Sequence, residues 1–312
     1  MGYMRVLITG AAGFIGSHLT DRFLLAGDSV IGLDNLSTGD FINLENAMLN
    51  PNFTFVEWDV TSPYNFDVDL ILNFACPASP VHYQRTPIQT LLTSLIGTVN
   101  ALDLALKSNA VLVHASTSEV YGDPEISPQP ESYLGKVNPI GPRACYDEGK
   151  RAAETAIYDY IRVHNIDARV VRIFNTYGPR MAVNDGRVVS NFIVSALTNA
   201  PISIYGDGSQ SRSFCYVDDT VEAIIRMSKL ENCPNSPVNI GNPNEISMMT
   251  LSSHVRKICN SQSTLVSLPL PIDDPKQRCP EISLAKNLLG WSPSIDLEVG
   301  LKKTSEYFIS VL

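Results

Sequence analysis

A tyrosine and a lysine stand four residues apart in the segment YDEGK, at Tyr146 and Lys150. Residues with this spacing lie on the same face of a helix, so the lysine ammonium can sit near the phenol and lower its pKa. A tyrosine of this kind can act as a base. The same spacing is common on ordinary helix surfaces, so the pair needs support from the rest of the chain.

A second group of polar side chains lies upstream, in the run 116–122. It contains Thr117, Ser118 and Glu119, whose hydroxyl and carboxyl groups can bind a substrate or move a proton. A glutamate in a turn can also merely cap a loop, and we favour the functional interpretation of Glu119. Together the two groups predict an active site.

A glycine-rich segment near the start of the chain, GAAGFIG, follows a predicted strand and opens a predicted helix. Gly10, Gly13 and Gly16 allow a tight turn, close approach of a pyrophosphate, and packing of the helix on the strand. Asp34 ends the second predicted strand, 18 residues after Gly16, where a carboxylate hydrogen-bonds the adenosine ribose. The segment predicts a dinucleotide site.

The carboxylate of Asp34 would repel a 2′-phosphate, and no Arg or Lys lies at 35–39. NAD is therefore predicted over NADP. Asp59 and Val60 close the third predicted strand, and Ala75 follows the fourth; ordinary strand-end roles are also open to them. The predicted NAD-binding residues are Gly10, Gly13, Phe14, Ile15, Gly16, Asp34, Asn35, Ser37, Thr38, Gly39, Asp59, Val60, Ala75, Tyr146 and Lys150.

These residues must be positioned by elements that alternate between β-branched runs and helical stretches. The sequence predicts strands at 5–9, 29–34, 53–58, 70–74, 111–116 and 169–174, and helices at 14–26, 86–107 and 146–164. Such alternation is typical of an α/β fold with a doubly wound parallel, Rossmann-type sheet. After residue 174 the pattern loosens into a smaller α/β lobe. We predict a cofactor domain at 1–174 and a substrate lobe at 175–312, with the chain crossing back once or twice.

Two predicted helices, at 87–107 and 146–164, carry broad apolar faces. Burial in the core explains such faces first. Surplus apolar surface can also pair across a two-fold axis, so we predict a homodimer through these helices.

Composition excludes several classes of function. The net charge of −9 over 312 residues, without clustered Lys and Arg, argues against nucleic-acid binding. Six scattered cysteines show neither a C-x-x-C pair nor metal-ligand spacing, which favours a reduced, cytoplasmic location and no metal. We find no secretory signal and no run near the ~20 apolar residues of a membrane span, so no membrane partner is expected.

Longer segments carry a specific resemblance. The chain reads NPIGPRACYDEGKR at 138–151, RIFNTYGPRM at 172–181, NDGRVVSNFI at 184–193 and YGDGSQSRSFCYV at 205–217. With the glycine fingerprint and the Tyr–Lys pair, these segments resemble the extended short-chain dehydrogenase/reductase family of nucleotide-sugar enzymes along nearly the whole chain. Within that family they are most similar to the UDP-glucuronate decarboxylases.

The resemblance implies roles for the candidate catalytic residues. Thr117 and Tyr146 would contact the hydroxyl on carbon 4 of the sugar, Lys150 would hold the nicotinamide ribose, and Glu119 would assist proton transfer. Related dTDP-glucose 4,6-dehydratases have an aspartate where Ser118 stands, so dehydration is not expected. The implied reaction converts UDP-glucuronate to UDP-xylose by transient oxidation at carbon 4 with bound NAD, loss of CO₂ and re-reduction.

The resemblance also implies a binding site for the nucleotide in the second lobe. Arg212 and Arg278 are the best candidates for the diphosphate, because a guanidinium matches phosphate bidentately. The predicted substrate-binding residues are Tyr83, Ser118, Asn175, Val189, Asn191, Tyr205, Gln210, Arg212 and Arg278.

Two alternatives stay open. A UDP-sugar 4-epimerase shares NAD, Thr117, Tyr146 and Lys150, but must rotate the keto sugar between the two hydride transfers. A non-catalytic NAD-binding sensor can dispense with the Tyr–Lys pair, so the presence of that pair counts against it.

Overall fold

The structure, a computed structural model, describes residues 3–269 and 277–312. In these ranges the strands are β1 (Arg5–Thr9), β2 (Ser29–Asp34), β3 (Phe53–Glu57), β4 (Leu70–Asn73), β5 (Val111–Thr117), β6 (Ala168–Ile173), β7 (Thr176–Tyr177), β8 (Ile202–Tyr205), β9 (Ser211–Ser213), β10 (Cys215–Tyr216), β11 (Val238–Ile240), β12 (Glu245–Ser247) and β13 (Leu265–Leu268).

The helices of the same ranges are α1 (Phe14–Leu25), α2 (Glu45–Met48), α3 (Pro80–Arg85), α4 (Pro87–Ser108), α5 (Ala144–His164), α6 (Val188–Leu197), α7 (Val217–Ser228), α8 (Met248–Ile258), α9 (Ser283–Leu289) and α10 (Leu297–Val311). Two short 3₁₀ turns span Phe41–Leu44 and Ser118–Tyr121.

The central sheet of the described chain has seven strands in the order β11-β6-β5-β4-β1-β2-β3. All neighbouring strands in it are parallel. The chain order reverses between β1 and β4, and ligands of such sheets bind outside the carboxyl ends of the strands at this point. The predicted doubly wound parallel sheet is confirmed.

Strand β11 reaches the sheet from the second half of the sequence. Val238–Ile240 pairs with Val171–Ile173 of β6 and so completes one edge of the sheet. The predicted strand pattern lacks this element because it is only three residues long. The smaller lobe consists of short pairs: β7 with β10, β8 with β13, and β9 with β12. The boundary at residue 174 stays a prediction.

Helices cover both faces of the sheet because successive strand side chains point to opposite sides. Val6 and Ile8 of β1 pack into one buried cluster with Leu19 and Phe23 of α1. Leu7, between them, packs into the other cluster with residues of α4 and α5. These two apolar layers hold the carboxyl ends of the strands in place.

Helices α4 and α5 end in the same way. Asn109 and Asn165 follow their last residues in the left-handed conformation, with φ of 53° and 54°. Asparagine is one of the residues that adopt this conformation at helix ends. Pro87 lies in the first turn of α4, where a proline does not interrupt a helical hydrogen bond.

Helix α4 corrects one sequence expectation. Within residues 3–269 and 277–312 it is the one helix long and apolar enough to cross a membrane by length and composition. Half of its apolar stretch is buried inside the protein. Length and composition of this kind are also found in helices that pack into a protein core.

Candidate active site

The turn between β1 and α1 forms the first part of the site. Gly10 has φ of +72°, and a Cβ on it would lie 2.9 Å from the backbone of Ala75. A Cβ on Gly16 would lie 2.0 Å from the carbonyl oxygen of Gly10. Gly13 caps α1 without a side-chain hydrogen bond, and no acidic residue lies in the first turn. The N–H groups at this helix end are therefore suited to bind a phosphate.

Asp34 is fixed beside this turn. Its Oδ2 accepts a hydrogen bond from the N–H of Ala12 at 2.9 Å, and its Oδ1 accepts one from Leu36 at 2.9 Å. Burial raises the pKa of the carboxyl group, while these hydrogen bonds act in the opposite direction. Asn35 donates to Asp59 at 3.1 Å. The carboxylate of Asp34 is thus aimed by the backbone.

These residues line a cavity of about 380 Å³ beside the fingerprint turn. Its walls contain most of the predicted adenosine-side residues, namely Gly10, Gly13, Asp34, Asn35, Ser37, Thr38, Gly39, Val60 and Ala75. A turn that a Cβ would fill, an open helix N-terminus and a ribose-facing carboxylate fit NAD.

A larger cavity of about 1280 Å³ contains the Tyr–Lys pair. It also brings together the remaining predicted residues: Phe14, Ile15, Gly16, Tyr83, Thr117, Ser118, Glu119, Asn175, Val189, Asn191, Tyr205, Gln210, Arg212 and Arg278. Gly10, Gly13 and Thr38 line both cavities, whereas Asp59 lines neither. Cofactor and substrate residues therefore share one continuous space.

The Tyr–Lys pair lies at the start of α5, facing the end of β5. Tyr146 and Thr117 line the same cavity, and the Thr117 hydroxyl is close enough to affect the pKa of the phenol. Lys150 donates from Nζ to the carbonyl oxygen of Ala115 at 2.7 Å, and its Nζ lies 6.0 Å from the centre of the Tyr146 ring. The helix thus presents both side chains to the carboxyl end of the strand.

The pKa of Tyr146 departs from the sequence expectation. Burial raises it, and the charge environment of Cys76 adds to the rise, whereas the hydroxyl group of Thr117 lowers it. Burial also lowers the pKa of Lys150. A buried phenol loses more solvation on ionisation than a lysine at this distance returns, because that lysine is itself buried and bonded to a carbonyl. Among the protein's own groups, the phenol is the stable form.

Tyr83 lies flat against the catalytic candidate. The two rings are stacked with centres 5.1 Å apart and an angle of 3° between their planes. Tyr83 is 1% exposed, and its hydroxyl group finds no hydrogen-bond partner among the residues that the structure describes. The stack covers one face of Tyr146 and holds its ring in a single orientation.

Glu119 is held by two arginines. Its Oε2 accepts hydrogen bonds from Arg143 and, at 3.0 Å, from Arg278. Burial pushes the pKa of Glu119 upwards, but the charges of Arg278 and Arg143 outweigh it, so the pKa is lowered. Glu119 therefore stays ionised at neutral pH.

Arg278 has a different environment from the one that the sequence suggests. Its Nη1 donates to the carbonyl oxygens of Ser118 at 2.8 Å and Gly122 at 3.1 Å. The residue is 1% exposed. The guanidinium therefore braces the turn that carries Glu119, and its predicted contact with the diphosphate stays a prediction. Arg212, which donates to the carbonyl oxygen of Ser211 at 2.8 Å, lines the cavity nearby.

The other predicted substrate residues lie farther along the same wall. Asn175 donates to the carbonyl oxygen of Ser213 at 3.4 Å, and Asn191 donates to that of Gly186 at 3.0 Å. Gln210 donates to the carbonyl oxygen of Tyr205 at 2.7 Å. These bonds fix the side chains to the backbone of the second lobe, and Val189 adds a buried apolar surface.

Sequence reasoning missed three arginines that line the larger cavity in the described part of the chain. Arg143 pairs with Glu119, Arg180 pairs with Asp21, and Arg187 pairs with Asp185 while its guanidinium lies 5.8 Å from the centre of the Phe14 ring. All three lie inside the segments 138–151, 172–181 and 184–193 that carry the family resemblance. A basic residue three positions before Tyr146 is the signal that could have revealed Arg143.

The family model for the NAD dependent epimerase/dehydratase family matches residues 6–241, and the chain belongs to that family. It is 49% identical over 298 residues to UDP-glucuronic acid decarboxylase 2 from Arabidopsis thaliana, a match that covers 96% of this chain and 66% of that protein. It is 49% identical over 306 residues to UDP-glucuronic acid decarboxylase 3 from the same plant, with 98% and 89% covered.

A solved structure has the same overall fold. The crystal structure of UDP-glucuronic acid 4-epimerase from Bacillus cereus in complex with UDP-glucuronic acid and NAD is 26% identical to this chain, with a TM-score of 0.87. The match covers 99% of this chain and 100% of that one. The predicted family and the predicted cofactor, NAD, are confirmed.

Proposed function

We propose that this protein is an NAD-dependent decarboxylase that converts UDP-glucuronate to UDP-xylose. The curated relatives that it matches along nearly its whole length are UDP-glucuronic acid decarboxylases. The cavity joins an NAD site to a Tyr–Thr–Lys group and to arginines of the second lobe.

One observation carries the choice of reaction. The carboxyl group beside Tyr146 in the cavity is Glu119, and two arginines keep it ionised. Expelling a hydroxyl group needs a protonated acid, and an ionised Glu119 does not supply one. Carbon dioxide leaves without a proton. A site that oxidises a sugar beside an ionised, braced carboxylate therefore favours decarboxylation over dehydration.

The residues of the chain have separate tasks in this reaction. Tyr146 and Thr117 bind the oxygen on carbon 4. Tyr146 accepts its proton as the phenolate, a form that the positive charges of Lys150 and of bound NAD⁺ would favour over the phenol that is stable in the protein alone. NAD, when bound, supplies the acceptor for the hydride of carbon 4 and returns it at the end. Gly10–Gly16 would hold its pyrophosphate, Asp34 its adenosine ribose and Lys150 its nicotinamide ribose.

Loss of CO₂ then depends on how the new ketone is held. Electrons of the breaking carbon–carbon bond delocalise into the carbonyl at carbon 4, whose oxygen becomes negative. Carbon 5 then takes up a proton from solvent, which restores the ketone for re-reduction, and Tyr146 returns its proton to the oxygen on carbon 4 in that last step. The hydroxyl groups of Tyr146 and Thr117 donate hydrogen bonds to that oxygen and stabilise the charge. Tyr83 fixes the ring that provides one of these donors.

Incubation of the purified protein with UDP-glucuronate tests the proposal. We expect CO₂ and UDP-xylose without added NADH, because the reaction leaves the cofactor unchanged. Formation of UDP-galacturonate without CO₂ would instead assign the chain to the 4-epimerases, the class of the Bacillus cereus structure. Turnover of neither kind, with NAD still bound, would favour the sensor.

We also propose a homodimer through α4 and α5 in the cytoplasm. Helix α4 exposes a row of apolar side chains, Ile88, Leu91, Leu92, Leu95 and Ile96, of which Ile88 is 75% exposed. Such a face is suited to a second copy across a two-fold axis. All six cysteines are free, which fits a reducing compartment. Sedimentation of Leu95→Glu should give half the mass of the parent protein, with Leu25→Glu on α1 as the control.

A further inference from the structure

Three side chains of helix α5, spaced one turn apart, face the last residues of β5. Lys150 bonds to the carbonyl oxygen of Ala115, and Tyr146 lines the same cavity as Thr117. One turn further, the Oε1 of Glu154 accepts a hydrogen bond from Ser116 at 2.5 Å. Two consecutive strand residues, Ala115 and Ser116, are therefore bonded to one face of the helix, and Glu154 has no part in the reaction derived above.

The carboxylate of Glu154 also forms an ion pair with an arginine of β6. Arg172 of β6 donates from Nη2 to Oε2 at 2.7 Å and from Nε to Oε1 at 3.0 Å. The side chains of both residues are only about a tenth exposed, at 10% for Glu154 and 12% for Arg172. A buried two-bond pair of this kind fixes distance and angle together.

Arg172 extends the network to the turn that carries Glu119. Its Nη1 donates to the hydroxyl oxygen of Tyr121 at 2.9 Å and to the carbonyl oxygen of Glu131 at 3.1 Å. Its guanidinium lies 4.8 Å from the centre of the Tyr121 ring. One arginine thus connects α5, β6 and the turn after β5.

The carboxylate of Glu154 also acts on Lys150. Burial lowers the pKa of Lys150, whereas the charges of Cys76 and, to a smaller extent, Glu154 raise it. The other titratable groups that face the lysine are Cys76 after β4, His114 on β5 and Tyr146 on its own helix. Burial keeps His114 neutral by lowering its pKa well below the usual range.

We propose that Glu154, held by Arg172, is a positioning residue that sets α5 against β5, so that Tyr146 and Lys150 face Thr117 and Ala115 at the end of the strand. The inference rests on the decarboxylase activity proposed above. It predicts that a neutral residue at 154 affects turnover and the pH range of turnover, with little effect on the binding of the sugar nucleotide.

The test compares Glu154→Gln with Asp159→Asn, an exposed acid on the same helix that pairs with Arg162. For Glu154→Gln we expect kcat to fall by about tenfold to a hundredfold with KM within about twofold, because the reacting groups are displaced rather than the binding groups. The alkaline limb of the kcat profile should move to lower pH, because the variant lacks the carboxylate charge that raises the pKa of Lys150. Asp159→Asn should match the parent protein in both.

A binding measurement separates this inference from the proposed function. The dissociation constant for NAD, measured by calorimetry from pH 6 to 10, should begin to rise at lower pH in Glu154→Gln than in the parent protein or Asp159→Asn. This readout needs no turnover, so it holds even if UDP-glucuronate is not the substrate. Identical NAD profiles and identical kcat profiles in Glu154→Gln and Asp159→Asn would overturn the inference.

A second variant covers the case in which Glu154→Gln does not fold. Ser116→Ala removes one hydrogen bond to Glu154 and leaves the ion pair with Arg172 in place. We expect kcat to fall about threefold to tenfold with KM unchanged, the scale of one hydrogen bond. A fall in thermal stability without a change in kcat would show a merely structural role and overturn the inference.

Discussion

The two halves of the cavity are built in different ways. The cofactor half uses backbone geometry from neighbouring stretches of sequence, with Gly10, Gly16 and Asp34 all in the first 34 residues. The substrate half uses long side chains from distant segments, such as Arg278 and Glu119, which are 159 positions apart. The cofactor half of the cavity fits a shape that is common to many dinucleotides. The substrate half is where one sugar is distinguished from another.

The difference predicts which substitutions separate binding from turnover. Changes in the backbone turn should remove the cofactor and stability together. Changes among the paired arginines should leave NAD bound and alter the reaction of the sugar.

The largest effect on turnover is expected where the cofactor half and the substrate half of the cavity meet. Tyr146→Phe removes the hydroxyl group that takes the proton from carbon 4, so turnover of UDP-glucuronate should fall by about 10³-fold. Calorimetry should show NAD binding within about fivefold of the parent protein, since one hydrogen bond contributes about 1 kcal/mol. Near-normal turnover by this variant would mean that another group is the base.

The next effect tests the cofactor half. Gly16→Ala places a Cβ 2.0 Å from the carbonyl oxygen of Gly10, whereas a Cβ on Gly13 would meet the same oxygen at 3.1 Å. The backbone of the turn must therefore move to accept Gly16→Ala, whereas a small relaxation accepts Gly13→Ala. We expect Gly16→Ala to lose NAD binding and to melt at a lower temperature than Gly13→Ala. Equal melting temperatures would show that the turn has room that the structure does not indicate.

A smaller effect tests the substrate half. Arg278→Lys cannot reproduce the bonds that one guanidinium makes to Ser118, Gly122 and Glu119. We expect kcat/KM for UDP-glucuronate to fall by about tenfold to a hundredfold, with the affinity for NAD unchanged. Arg226→Lys is the matched control, because Arg226 also bonds carbonyl groups and a glutamate, but far from the cavity. If both variants lose the same activity, the bracing of Glu119 is not what Arg278 provides.

The smallest effect concerns stability and pH in the substrate half. Burial and the charge of Glu119 raise the pKa of Asp147 to about 8, above the value of about 3.9 in an unfolded chain. The folded protein therefore holds a proton that the unfolded chain releases, and it loses stability as pH rises from about 4 to 8. Asp147→Asn removes this loss.

The melting temperature of Asp147→Asn relative to the parent protein should thus increase from pH 5 to pH 8 and stay level above it, by a few degrees in all. Scanning fluorimetry at pH 5, 7 and 9 measures the difference, with Asp159→Asn as the control. A constant difference across this range would place the pKa of Asp147 near its ordinary value.

Much of the cofactor half could be predicted because its signals are local. The helix at 86–107 appears as Pro87–Ser108, and the strand at 29–34 appears with the same bounds. Glycine spacing and a strand-end aspartate have one common structural use, and the structure places these residues around one cavity. Strand β11 was not predicted, because a strand of three residues is too short to show an apolar periodicity.

The substrate half could be predicted only as a set of residue types. The pairing of Arg143 and Arg278 on Glu119 depends on how segments far apart in sequence pack together. The direction of the Tyr146 pKa depends on burial, which no spacing reveals. Membership in the family supplied the identities of the residues, and the geometry supplied their partners.

The contribution of Val238–Ile240 to the sheet has a mechanical consequence. Since the edge strand beside β6 is encoded beyond the first lobe, a fragment that stops at residue 174 would leave the backbone groups of β6 open along that edge. A rigid swing of one lobe away from the other would likewise pull on this strand. Access to the cavity is therefore expected to come from small loop movements, with the two lobes opening and closing very little.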